Sequence, residues 1–154
     1  MAKTSTAIHT LLELAQRDSE KAAADLSLRN SQLNEAKNQL NQLNAYRQEY
    51  VAQNVVLMVS GIESGEILNF RAFLSNLDIT IYGQNQIIER STLAVQEQQI
   101  VWQGCERKKM SYQVLTQQEK QKNIIQELKR DQKLTDEFVN SRTAAKSKND
   151  RTNR

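Results

Sequence analysis

The stretch Leu57-Met-Val-Ser-Gly-Ile-Glu-Ser-Gly-Glu-Ile-Leu-Asn69 separates two long segments that each have the character of a helix. Two of the four glycines of the chain, Gly61 and Gly65, lie within it. A glycine inside a helix costs about 1 kcal/mol relative to alanine, and its backbone also adopts angles that other residues avoid. We therefore predict a turn near residues 58–68, with one helical arm before it and one after it.

The composition predicts packed helices rather than a globular domain. Among 154 residues there is no proline, aromatic residues make up 5% and hydrophobic residues 38%, and the mean hydropathy is −0.69. Without proline no position forces a helix to stop, and so few large apolar side chains cannot fill a broad core. No apolar run approaches the ~20 residues of a membrane span, and we expect no signal peptide.

The first arm repeats apolar residues at alternating steps of four and three, which is the spacing of a coiled coil. The stepping begins at Ile8 and reaches Tyr50, interrupted by one serine and two arginines. Because an average step of 3.5 residues keeps these positions on one side, we predict a helix over about residues 6–56 that packs against a partner helix.

The second arm has the same stepping from Phe70 to Cys105, and it returns after a change of phase near Ile125. We predict a helix from about residue 66 to Arg142 that folds back along the first arm. At ~1.5 Å per residue the arms would be about 75 Å and 110 Å long, so the end of the second arm should extend past the N-terminus.

The basic excess of the chain lies in its tail. The net charge is +3, and the residues from Asn140 onward contribute +4 of it, which leaves −1 for the rest. This tail has no large apolar residue, so we predict disorder over residues 143–154. Elsewhere acidic residues are interleaved with the basic ones, which favours a solvated helix face over a nucleic-acid site.

Together these patterns predict an all-α fold, an antiparallel two-helix coiled-coil hairpin over residues 1–142 with the longer second helix ending in the basic tail. A hairpin satisfies its own seam, so we expect a monomer in solution, whereas one straight helix would need a second chain. The lone His9, the single Cys105 and the absence of a phosphate-binding loop predict no enzyme, no cofactor and no metal site.

Two groups of apolar residues exceed what a seam requires. One follows the turn, where Phe73 begins a stripe that either holds the bend together or forms a docking patch. The other lies between Leu128 and Val139, where the first arm would give little cover. Apolar side chains at the open end of a helical pair predict a binding partner.

Four segments, taken together, resemble the flagellar FliJ family, the small coiled-coil protein of the flagellar type III export apparatus. They cover nearly the whole chain in the order of that family. They are Leu11-Leu12-Glu13-Leu14-Ala15, Tyr46-Arg47-Gln48-Glu49-Tyr50, Asn69-Phe70-Arg71-Ala72-Phe73-Leu74 with Leu77, and Asp131-Gln132-Lys133 followed by Asp136-Glu137-Phe138.

The resemblance implies a stalk-like coiled coil, similar to that of the rotary ATPase γ subunit. Such a protein engages the flagellar export ATPase (FliI), promotes assembly of its ring, contacts the export gate protein FlhA and escorts export chaperones. It would be cytoplasmic and peripheral to the inner membrane at the flagellar basal body. Alternatives are the stalk protein of a virulence type III secretion system and a generic structural coiled coil.

The resemblance also implies two sets of contact residues. The ATPase contact falls on both ends of the chain, at Leu11, Leu12, Leu14, Ala15, Leu128, Asp131, Gln132, Asp136 and Phe138. The gate contact falls on the stripe after the turn, at Phe73, Leu77, Thr80 and Gln84.

Overall fold

A computed structural model describes residues 2–59 and 65–153 of the chain. Helix α1 spans Ala2–Gln53, the short helix α2 spans Val55–Val59, and helix α3 spans Gly65–Thr152. No strand occurs in the described ranges. The prediction of an all-α fold built on two long helices is confirmed.

Helix α1 ends at Gln53, and the next residue, Asn54, caps it. The backbone N–H of Asn54 donates to the carbonyl of Val51 at 3.2 Å, and its side-chain amide donates to the carbonyl of Tyr50 at 2.8 Å. Two carbonyls that a helix C-terminus leaves without partners are thereby satisfied. The predicted turn near 58–68 includes residues 60–64, which lie outside the described ranges, and α2 and α3 flank them.

The chain divides into two compact units. One consists of residues 16–106, and the other consists of residues 1–15 with residues 107–154. Each unit therefore takes one part of α1 and one part of α3.

Within residues 16–106, α1 and α3 pack antiparallel in a constant register. Three cross-helix contacts show it, because the two residue numbers in each contact add up to 120. They are the stacked rings of Tyr50 and Phe70 at 5.2 Å, the amide of Gln84 donating to the carbonyl of Ala36 at 2.9 Å, and the amide of Gln98 donating to the carbonyl of Ala22 at 3.3 Å.

Small residues line the seam of this unit on the α1 side. Ser19, Ala22 and Ala36 are each 5% exposed or less. Because an alanine or serine side chain is short, the glutamine amides of α3 can reach the backbone of α1. The hydroxyl of Ser19 likewise bonds to the carboxylate of Glu106 across the seam.

The four-three stepping identifies the seam correctly. Of its positions in α1, all from Ile8 to Tyr50 are buried or half-buried except Arg29. In α3 every stepping position from Phe70 through Tyr112 is likewise at least half-buried. The pattern missed Ile67, which is 8% exposed and extends the seam one turn toward the bend.

In the unit of residues 1–15 and 107–154, α1 covers only the first part of α3. A shallow groove of about 270 Å³ lies where the two meet, lined by Ser5, Thr6, Ile8 and His9 on one side and by Thr116, Glu119, Lys120 and Asn123 on the other. From residue 121 to residue 153 every residue of α3 is exposed.

The tail differs from its prediction. Residues 143–154 are predicted to be disordered, whereas α3 continues through Thr152. The segment contains neither glycine nor proline, and its Ala144, Ala145 and lysines are good helix formers. Arg151 in the last turn also complements the negative end of the helix dipole.

We expect Ala36→Leu to destabilise the chain by about 1–3 kcal/mol, because a larger side chain at a 5% exposed position forces the helices apart. Ala24→Leu, at an exposed position of the same helix, is the matched control and should change little. Urea unfolding followed by helical circular dichroism measures both. Equal effects of the two substitutions would contradict close packing at the seam.

Candidate interaction surfaces

The uncovered part of α3 presents large apolar side chains to solvent. Six of them, between residues 124 and 139, are 53% to 63% exposed. At 3.6 residues per turn all six fall within about half of the helix circumference. They are Ile124, Ile125, Leu128, Leu134, Phe138 and Val139, and we call them the terminal face.

Charges are distributed unevenly around this part of α3. On a regular helix, Glu127 and Asp131 fall among the residues of the terminal face. Four basic residues and two acidic ones, Asp136 and Glu137, fall outside it. The basic residues are Lys122, Lys129, Arg130 and Lys133. Arg142 lies over the ring of Phe138, with its guanidinium carbon 5.8 Å from the ring centroid. The terminal face is thus apolar with a few acidic groups, and an arginine lies at its far end.

The residues expected to contact an ATPase at the N-terminal end have different surroundings. Leu11 and Leu14 are 42% and 49% exposed, Leu12 is half-buried and Ala15 is 3% exposed. The two exposed leucines are available to a partner, while Leu12 and Ala15 belong to the seam.

The N-terminal and C-terminal sets are not brought into contact. The first residues of α1 lie opposite residues 116–123, where they line the shared groove. Residues 11–15 come after the groove residues of α1, and residues 128–138 come after the groove residues of α3. Because the two helices run in opposite directions, the two sets lie in opposite directions from the groove. The two sets therefore lie on either side of the groove within this unit.

Four aromatic rings cluster near the bend in the unit of residues 16–106. The ring of Tyr50 stacks on Phe70 at 5.2 Å and lies 4.5 Å from Phe73, centroid to centroid. Tyr46 contacts the edge of Phe73 at 6.1 Å. Phe70 is 3% exposed, whereas Phe73 and Tyr46 are 39% and 49% exposed. The cluster has a buried side that holds the helices together and an open side.

The stripe assigned to the gate contact divides between the seam and the surface. Leu77 and Gln84 are 8% and 9% exposed, and the amide of Gln84 also donates to Gln39 at 3.2 Å. Thr80 is exposed, and its hydroxyl donates to the carbonyl of Asn76 at 2.9 Å. Only Phe73 and Thr80 of the four are therefore accessible while the helices remain packed.

Sequence reasoning missed Tyr46, which extends the accessible part of the stripe onto α1. Its signal was present, since Tyr46 and Tyr50 are four residues apart and only Tyr50 lies on the seam stepping. An exposed tyrosine one turn from a seam tyrosine marks the border of the seam.

An ion pair flanks the aromatic cluster. The Nε of Arg47 lies 2.6 Å from a carboxylate oxygen of Asp78, and both side chains are partly exposed. The hydrogen bond to Asp78 and the negative charge of that carboxylate raise the pKa of Arg47 above its ordinary value. An arginine interrupting the seam stepping is thus held at the edge of the seam by a partner on the other helix.

The described residues offer no cluster of metal-binding side chains. No group of three or more histidine, cysteine, aspartate or glutamate side chains that could hold a metal ion occurs among them. His9 lies 3.4 Å from Glu13 on the exposed surface, and Cys105 is a half-buried free thiol. In the ranges that the structure describes, no helix is both long enough and apolar enough to cross a membrane.

Known proteins are similar to this chain over nearly its whole length. The family model described as "Flagellar FliJ protein" matches residues 4–148. Proteins of the same description from Escherichia coli strain K12 and Salmonella typhi are 28% and 26% identical over 133 residues, which is 86% of this chain and 90% of each relative. A solved structure of CT670 from Chlamydia trachomatis, whose description relates it to YscO, is 12% identical, with 88% of both chains covered and a TM-score of 0.47.

We expect Phe70→Ala to destabilise the chain by about 3–5 kcal/mol, because it removes a buried ring from the aromatic cluster. Phe73→Ala should cost roughly half of that or less, because its ring is already partly in water. Urea unfolding midpoints of the two variants test this order. A larger loss for Phe73→Ala would mean that Phe73 is a core residue rather than part of an open surface.

Proposed function

Because the chain belongs to the flagellar FliJ family and is a non-enzymatic component of the flagellar type III export apparatus, we propose that it acts there as a stalk-like coiled coil. Its terminal face engages the export ATPase (FliI), and the open side of its aromatic cluster engages the export gate protein FlhA. The two contacts couple ATPase assembly to export mechanically, with no chemistry on this chain.

The terminal face is the observation that carries this proposal. Six large apolar side chains more than half exposed on an uncovered helix are unusual for a protein without a partner. Their placement within half of the helix circumference suits insertion into an apolar groove or channel. A helix of this kind needs a surface that surrounds it on one side and leaves its charged side in water.

The charges of the terminal face indicate which groups the ATPase surface should offer. Asp131 and Glu127 lie among the apolar residues, so the ATPase should offer basic or hydrogen-bonding groups beside an apolar contact. Leu11 and Leu14, both partly exposed in the same unit, supply a second and smaller apolar contact. The N-terminal contribution is limited to these two leucines, because Leu12 and Ala15 belong to the seam.

The gate contact is proposed for the open side of the aromatic cluster. Phe73 and Tyr46 are partly exposed and in contact with each other, and Thr80 is exposed two helical turns after Phe73 in α3. Exposed aromatic rings supported from beneath by other rings are typical centres of protein interfaces. Leu77 and Gln84 would then act from inside the seam by holding α3 in place.

Further roles follow from family membership rather than from a particular surface. We include escort of export chaperones, support of motility, and a cytoplasmic location peripheral to the inner membrane at the flagellar basal body. Flagellar export genes beside this one, rather than effector genes, are expected if the chain serves flagella and not a virulence system.

The ATPase contact is tested by pull-down with the cognate export ATPase. A chain ending before Asp131 should lose most of its retention, because it lacks Phe138 and Val139. In the full chain, Leu128→Ala combined with Phe138→Ala should weaken retention about tenfold or more, as expected when apolar interface anchors are truncated. Leu28→Ala, at a 58% exposed leucine of α1, is the matched control. Equal retention of the variants and the parent chain would count against the assignment.

The gate contact is tested with two single variants in a reciprocal design. Phe73→Ala should weaken binding to the cytoplasmic part of FlhA and leave ATPase retention intact, because its ring is not part of the terminal face. Phe138→Ala should do the reverse. Helical circular dichroism of both variants should match the parent chain. If Phe73→Ala lowers both bindings together with helicity, the aromatic cluster is a structural element only.

A further inference from the structure

The side of α3 that faces away from α1 carries few charges between residues 72 and 105. Only four of these 34 residues are charged, which is about one in eight, whereas 25% of the residues in the whole chain are charged. The four are Asp78, Glu89, Arg90 and Glu97. A helix face that only meets water normally carries many more charges. The low charge density therefore indicates that a partner covers this side.

Large apolar side chains lie on the same side. Ile79, Leu93 and Ile100 are 57% to 66% exposed and are separated by multiples of seven residues. Their place in the heptad lies directly opposite the seam, because each of them has a seam position two residues before it and another two residues after it, and two residues turn about 200° around a helix. Tyr82, which is 66% exposed, lies beside them. We call these four residues the outer stripe.

Two glycines border the outer stripe, and the packing of this chain does not require either one. A methyl group placed on Gly83 or Gly104 would meet no atom within 4 Å. Each glycine nevertheless costs the helix about 1 kcal/mol relative to alanine. Glycines on an outer helix surface allow another backbone to approach closely.

The charges and glycines beside the outer stripe are arranged symmetrically along α3. Arg90 and Glu97 are equally far from the point between Leu93 and Ala94, and so are Gly83 and Gly104. All four residues occupy the same place in the heptad, on one edge of the outer stripe. If a second copy of α3 lay antiparallel across this point, each Arg90 would face Glu97 of the other copy and each Gly83 would face Gly104.

We propose that a second copy of this chain docks antiparallel on the part of the outer stripe that holds Leu93 and Ile100, about a two-fold axis between Leu93 and Ala94. The contact is isologous, as in most symmetric dimers, because one surface serves both copies. Two reciprocal Arg90–Glu97 ion pairs set its register, and the glycines let the helices come close. This association differs from the seam, which each chain satisfies by itself.

The association should be weak. From Gly83 to Gly104 the contact spans about 32 Å of one helix, which is less than a standard interface provides. We therefore expect a monomer at low concentration and a dimer where several copies are held together. This agrees with the monomer expected from a seam that each chain satisfies by itself, because the outer stripe is a separate and weaker contact.

Sedimentation velocity over a range up to hundreds of micromolar tests the proposal. The full chain should sediment faster as its concentration rises. Arg90→Glu and Glu97→Arg should each weaken this association by about tenfold, because each places like charges opposite one another twice. The double variant should recover it, since it exchanges the two charges and keeps them complementary. Neither position is buried, so folding should be unchanged.

Mixing the two single variants gives a sharper result. One chain then carries two glutamates and the other two arginines at these positions, so the mixed dimer has both ion pairs while each variant alone has neither. Native mass spectrometry should show mostly the mixed species. A parent chain that stays monomeric throughout, variants that associate as well as the parent, or a mixture without preference would overturn the proposal.

Discussion

The close approach of α1 and α3 at small seam residues is the contact on which the other features depend. Where α1 has Ser19, Ala22 and Ala36, its backbone is near enough for the amides of Gln84 and Gln98 to bond to carbonyl oxygens. A carbonyl bonded in this way fixes the register of the two helices as well as their distance. The register in turn decides which residues of α3 up to residue 106 lie against α1 and which lie on its outer side.

That register explains why a chain with few apolar residues can fold and still keep apolar residues at its surface. Alanine, serine and glutamine alternate with leucines in the seam and keep the two helices close, and many of the other large side chains are left exposed. They concentrate on the terminal face, on the open side of the aromatic cluster and on the outer stripe. The proposed contacts with other proteins require apolar surface in such places.

Much of the fold could be predicted from the sequence, because a heptad pattern reports directly which side of a helix is covered. Every stepping position from Phe70 through Tyr112 is at least half-buried for this reason. The same pattern could not show where α3 stops, since nothing after residue 142 opposes a helix and lysine and alanine favour one. The candidate site was harder to predict. Gln84 lies on a seam position, but only the contact with Ala36 shows that it points inward, and Tyr46 became part of the surface only through its contact with Phe73.

The reversal of the chain between α1 and α3 is the central claim, and a distance between spin labels tests it most directly. Labels at Glu35→Cys and Asn85→Cys, in a Cys105→Ser background, occupy exposed positions whose numbers add up to 120 as in the seam contacts. Neighbouring helices lie about 8–10 Å apart, so the labels should be separated by less than roughly 30 Å. A separation near 75 Å, the length of 50 residues of continuous helix at about 1.5 Å each, would contradict the account.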